Sequence, residues 1–148
     1  MKRLPTLVLF IGMLVGSSGA VAQQSEDFGN YEVHYNALNS SQIPPHVAQA
    51  YGIKRSSSSA LLTITVMKKE EGTFGTPVHA KVKASGINLT GQRRNIDMRE
   101  ASDAGGAVYY LGELPVRNME LFNFTVNVEI EGVKLPMEVK FRKQFYTN

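Results

Sequence analysis

The chain contains no cysteine and no tryptophan. Without cysteine there is no disulfide, no thiol nucleophile, no thiolate metal site and no residue to carry the lipid of a bacterial lipoprotein. The two hallmarks of an antibody domain, its inter-sheet disulfide and its buried tryptophan, are therefore both missing. Histidine is scarce, and His34, His46 and His79 form neither an HxxxH nor an HxH pair of the kind that marks zinc. No GxSxG nucleophile elbow is present, and Gly72-Thr73-Phe74-Gly75 lacks the lysine of a phosphate loop. Asp97 and Glu100 flank Met98-Arg99 with no spacing that would define a glycosidase cleft, and ion pairs with Arg94 and Arg99 account for them. The sequence thus assigns no catalytic residue, no metal ligand and no cofactor.

A long hydrophobic run is absent too. Met1-Lys2-Arg3 is positively charged, Leu4 to Val15 is apolar, Gly16 to Gly19 closes the run, and Ala20-Val21-Ala22 is a small-x-small cleavage site before Gln23. The run is shorter than the ~20 residues that span a bilayer, so residues 1–22 read as a cleaved signal peptide and residues 23–148 as one domain with no stable membrane anchor. Losing Lys2 and Arg3 takes Lys+Arg from 16 to 14 against 13 Asp+Glu, a formal charge of +1. So balanced a domain carries no electrostatic footprint for nucleic acid. Arg93-Arg94 and Arg142-Lys143, the latter beside Phe145 and Tyr146, could form an anion-binding edge. Protection of strand edges is the simpler reading.

What is present is alternation. Phe122, Phe124, Val126, Val128 and Ile130 alternate with polar residues, Glu131-Gly132 interrupts, and Val133, Leu135, Met137, Val139 and Phe141 alternate again, predicting a hairpin closed by a two-residue turn. The same period places strands near Tyr31, Leu62, Val78, Ile96 and Val108. Val108, Tyr110, Gly112 and Leu114 share one face of the last of these while Tyr109 and Leu111 occupy the other, and two apolar faces suggest a central strand, or one face meeting the helix or a partner. Pro44-Pro45 starts a helix that Gly52 ends, with Val47, Ala50 and Tyr51 on one face; it is expected to plug an open end of the fold. Seven short strands and one short helix predict an all-β protein, an antiparallel immunoglobulin-like β-sandwich.

The stretches Phe28-Gly29-Asn30-Tyr31-Glu32-Val33-His34-Tyr35-Asn36, Val47-Ala48-Gln49-Ala50-Tyr51-Gly52-Ile53 and Val139-Lys140-Phe141-Arg142-Lys143-Gln144-Phe145-Tyr146 resemble the domain-of-unknown-function 4426 family of exported proteobacterial proteins. The resemblance covers essentially the whole domain. It implies a periplasmic setting, makes the glycosylation-like Asn88-Leu89-Thr90 a chance match, and brings no catalytic residue with it. The leading expectation is a non-enzymatic module that binds a protein or peptide partner through Tyr35, Tyr109 and Tyr110, since tyrosine is favoured at interfaces. A second is a small-ligand site beside the helix with His46 and Tyr51 at its mouth. A third is a hydrolase whose residues converge only in space.

Overall fold

The computed structural model describes residues 24–148; the leader expected over residues 1–22 lies outside them. The chain runs β1 (Ser25–Asp27), β2 (Tyr31–Asn39), a 3-10 turn (Ser40–Gln42), α1 (Pro45–Tyr51), β3 (Ser59–Lys68), β4 (Thr76–Pro77) and β5 (Lys81–Asn88). It continues through β6 (Arg93–Ile96), β7 (Arg99–Ser102), β8 (Val108–Pro115), β9 (Glu120–Glu129) and β10 (Met137–Phe145). One sheet has the order β1-β2-β3-β8-β7 with β4 beside the end of β3, and the other β10-β9-β5-β6. Every pairing is antiparallel. The fold is the all-β sandwich expected, with ten strands instead of seven.

The three additional strands have separate causes. Ser25-Glu26-Asp27 is exposed throughout and has no apolar period, so only backbone pairing to β2 makes it a strand. Strand β4 is two residues long and pairs Met67↔Pro77 and Lys68↔Thr76. The single strand expected near Ile96 divides at Asp97-Met98 because the chain changes sheets there: β6 pairs with β5, whereas β7 pairs with β8. Gly112 of β8 makes room for this crossing. A Cβ on it would meet Met98 Sδ and would come within 2.5 Å of Ile96 Cγ2.

The core lies between the sheets. Phe122, Phe124, Val126 and Val128 of β9 and Met137, Val139 and Phe145 of β10 face Val33, Leu62, Ile64 and Val66. Burial of each such side chain contributes roughly 1.5–3 kcal/mol. The aromatic rings interlock, with Phe124 stacked on Phe141 at 4.9 Å and edge-on to Phe145 at 6.2 Å. Gly86 of β5 lets two of them in, since its missing Cβ would lie 3.1 Å from Phe122 and 3.2 Å from Phe124.

The two-residue turn at Glu131-Gly132 is corrected by the register. Met137 pairs with Val128, so the connection spans residues 130–136. Gly132 still makes the turn, with φ of 77° and Val133 N–H donating to Ile130 O. Pro136 has no N–H for the ladder, which is why pairing starts only at Met137. Val133 and Leu135 consequently leave the strand, and Leu135 is exposed.

The helix is also displaced from its expected place. It covers the outer face of the larger sheet instead of plugging an open end: Ile43, Ala48 and Ile53 pack with Leu61 of β3 and Leu111 of β8. Its buried face is turned as well, since Ala48 is buried, Val47 and Tyr51 are half-buried, and Ala50 is exposed. Gly52 ends it as expected, in the left-handed conformation at φ 65°. The two apolar faces of β8 are explained by this second layer.

Candidate functional site

The feature that brings together residues from different parts of the sequence is a hollow of about 370 Å³ between α1 and the outer face of β2, β3 and β8. Its floor is Leu38, Leu61, Thr63 and Leu111, and its wall is Val47 and Tyr51 of α1 with Ile43 and Ile53 at the helix ends. Tyr109 closes one side and meets Tyr51 edge to face, with ring centroids 6.0 Å apart. Alternation along β8 places Tyr109 and Leu111 here while Tyr110 points into the core.

Apart from Thr63 on the floor, the polar side chains lie at the rim. Tyr109 Oη lies 3.4 Å from Asp103 Oδ2. Arg99 of β7 donates from Nη2 to the Tyr51 carbonyl, which ties the helix C-terminus to the sheet edge. The Tyr109 hydroxyl is held above the usual phenol range, first by burial and then by the nearby Asp103 and Tyr51. At neutral pH it is a neutral hydrogen-bonding group on an apolar wall. The arrangement suits an apolar side chain or small apolar ligand, with most hydrogen-bonding groups at its edge.

Two of the five residues singled out from sequence, Tyr51 and Tyr109, meet in this hollow. His46 is exposed on α1 and does not line it, because helical rotation carries it off the packed face. Tyr35 is half-buried on the core side, stacked on Phe141 at 4.6 Å. Tyr110 is withdrawn as a contact residue: only 5% of it is exposed. Its hydroxyl accepts from Ala80 N–H at 2.7 Å and donates to Glu100 Oε1 at 2.9 Å. The floor residues were missed, although Leu61 offered a signal as an apolar residue on the face of β3 otherwise occupied by Thr63 and Thr65.

A second cleft, of about 620 Å³, opens at one end of the sandwich between His79-Ala80-Lys81 and residues 129–136. His79 Nδ1 lies 2.6 Å from Glu100 Oε1, so histidine, carboxylate and the Tyr110 hydroxyl form one chain of contacts. His79 and Tyr110 together hold the Glu100 carboxyl below its usual range, His79 contributing most. The cleft lining carries no serine, threonine or cysteine, so nothing there supplies the hydroxyl or thiol that a histidine–carboxylate pair would activate. Among the described residues, no group of three His, Cys, Asp or Glu side chains could hold a metal ion.

A sandwich of two antiparallel sheets with a helix on one outer face, and an apolar hollow beneath that helix, defines the protein as a β-sandwich with a candidate binding site outside its core. Residues 25–148 match the model of the domain of unknown function DUF4426, and the chain belongs to that family. A crystal structure of a DUF4426 family protein (PA0388) from Pseudomonas aeruginosa PAO1 is 34% identical, with a TM-score of 0.70 over 84% of this chain and 94% of that one. No curated protein matches the sequence.

Proposed function

We propose that the protein is an exported, periplasmic, non-enzymatic binding module whose hollow beside α1 receives an apolar side chain from an extended segment of a partner protein. The observation that carries this reading is the meeting of Tyr51 and Tyr109 on the wall of an apolar, laterally open hollow on the outer face of the sheet. Tyrosines offer large contact area at low entropic cost, and the rim carboxylate Asp103 and guanidinium Arg99 suit the polar backbone of a bound segment. Periplasmic location is supported by the leader-like residues 1–22 and by the leading resemblance noted above.

The test is photo-crosslinking in the intact cell, with the crosslinking side chain at position 109 and a control at Lys69, beyond the end of β3 and outside the hollow, where it pairs with Asp27. One discrete adduct from position 109 alone, abolished when Val47→Trp fills the hollow, supports the reading. Adducts that are indifferent to Val47→Trp, or equal from both positions, overturn it. A second reading, a small apolar ligand, is favoured by the hollow's volume, which lies at the lower end of small-molecule sites. Native mass spectrometry of the protein from its own compartment separates the two by an added small mass.

A further inference from the structure

The end of the sandwich formed by the β5–β6 and β8–β9 loops combines two properties that the binding reading leaves unused. Leu89 and Met119, at the tips of these loops, are 71% and 63% exposed, and Tyr146 just beyond β10 is 58% exposed. None contributes to either apolar cluster. The loops are built to stand together. Asn88 Oδ1 accepts from the N–H groups of Thr90 and Gln92 at 3.2 and 2.9 Å, and Asn88 Nδ2 reaches Glu120 Oε1 at 3.1 Å. Met119 is held at φ 61° and is the one non-glycine residue with positive φ among those described. Such a conformation costs on the order of 1 kcal/mol, and the methionine that adopts it stands on an exposed tip.

The same end is cationic, although the domain as a whole is balanced. Register places Arg93 opposite Ile87, and Lys143 and Asn88 both opposite Phe122, so each edge of the four-stranded sheet brings an exposed basic residue near these loops. Arg93 also donates from Nη2 to Ser85 Oγ at 3.3 Å, and its neighbour Arg94 is half-buried. Arg117 stands in the β8–β9 loop itself. The lone carboxylate in residues 86–94, 115–122 and 142–146 is Glu120. It is already engaged, by Asn88 on one oxygen and by Arg117 N–H on the other at 2.7 Å. The opposite end differs in kind, since its exposed Phe74 follows Glu70-Glu71.

We infer that this end docks reversibly on an anionic phospholipid surface, with Leu89 and Met119 entering the headgroup boundary, Tyr146 lying at its level and Arg93, Arg117 and Lys143 meeting lipid phosphates. Apolar tips ringed by cations are what such a surface binds, through buried apolar area plus electrostatic attraction. Among the described residues no helix is long and apolar enough to cross a membrane, and tip insertion needs none. The proposal does not rest on the hollow beside α1, which lies on the outer face of the other sheet.

The experiment is flotation of the chain beginning at Gln23, so that the apolar leader cannot supply the binding. The probes are vesicles of phosphatidylglycerol and phosphatidylethanolamine in equal parts, compared with vesicles of phosphatidylcholine alone. Binding is expected to the anionic vesicles only and to weaken with salt. It should fall about tenfold in Leu89→Asp/Met119→Asp and about fivefold for each charge removed in Arg93→Gln and Arg117→Gln, with Phe74→Asp unchanged. Melting temperatures of the variants check that the fold is intact. Absent binding, equal binding to neutral vesicles, or loss in Phe74→Asp as large as in the tip variant overturns the proposal. So does a chain that ignores vesicles and binds polyglutamate, which would assign the end to an acidic protein.

Discussion

Tyr51 on α1 and Tyr109 on β8 stand edge to face, 6.0 Å between ring centroids, on the wall of the hollow outside the core. Edge-to-face pairs contribute about 0.5–1.5 kcal/mol beyond their area. Tyr109→Ala should therefore lower stability by about 1–2 kcal/mol while removing most binding of whatever the hollow receives. Tyr109→Phe keeps the ring and should leave stability within about 0.5 kcal/mol. Denaturant melts beside the crosslinking assay separate the two effects.

The aromatic interior predicts a much larger loss. Phe124 is 1% exposed and touches Phe122, Phe141 and Phe145. Phe124→Ala should cost about 3–5 kcal/mol, through lost burial and the cavity it leaves. Phe74→Ala, at a fully exposed position, should be within about 0.5 kcal/mol of the parent. Thermal unfolding of both variants under one buffer tests this contrast.

Gly112→Ala places a methyl group against Met98 and Ile96 where the chain crosses between sheets. Overpacking there should destabilise by about 1–3 kcal/mol. Met98→Ala in the same chain should recover part of that loss by clearing the space. Recovery in the double variant, read by urea denaturation, distinguishes this steric account from a general weakening of β8.

Acid should loosen the link between His79 and β7. The Glu100 carboxyl is depressed by His79 and by Tyr110, so its contribution is present above the unfolded carboxylate range and is lost as pH falls through the lower folded value. His79→Ala should flatten the acid limb of the melting temperature against pH by lowering the neutral plateau, leaving the acid end nearly unchanged. An acid limb of unaltered slope would remove Glu100 from this role.

Alkali acts on Tyr110, whose hydroxyl is raised, burial contributing most. A raised acid of this kind stabilises the fold below the ordinary phenol value and loses that contribution as pH rises through the folded value. Tyr110→Phe leaves Ala80 N–H without its acceptor and Glu100 with His79 alone, and should cost about 1–3 kcal/mol at neutral pH. It should also abolish the alkaline fall in stability that this hydroxyl produces. Unfolding curves at neutral and alkaline pH measure both quantities.

Much of the fold was legible because a strand with one wet face writes its period into the chain. The rows Phe122 to Val128 and Leu62 to Val66 and the turn signals between strands predicted the sandwich; Pro45 and Gly52 predicted the start and stop of α1. Reading failed where no side-chain pattern exists. Strand β1 is polar on every residue and is ordered by backbone pairing alone, and the break at Asp97-Met98 is a change of sheet with no turn residue to announce it. Of the candidate site, sequence pointed to Tyr51 and Tyr109 separately and to Tyr110 mistakenly, since adjacent strand residues face opposite sides and only packing decides which side is the core.

What the sequence alone determined is local: the short helix between Pro45 and Gly52, the apolar rows of the strands, and the absence of any cysteine chemistry. These follow from backbone sterics and from the fixed periods of helix and strand, which need no knowledge of the partner. What only the tertiary structure decided is non-local: which face of β8 is interior, that α1 lies on the outside of the larger sheet, that the β9–β10 register begins at Met137, and that Arg93, Arg117 and Lys143 gather at one end beside Leu89 and Met119. The physical reason is that burial and charge density belong to surfaces, and a surface is assembled from strands distant in the chain.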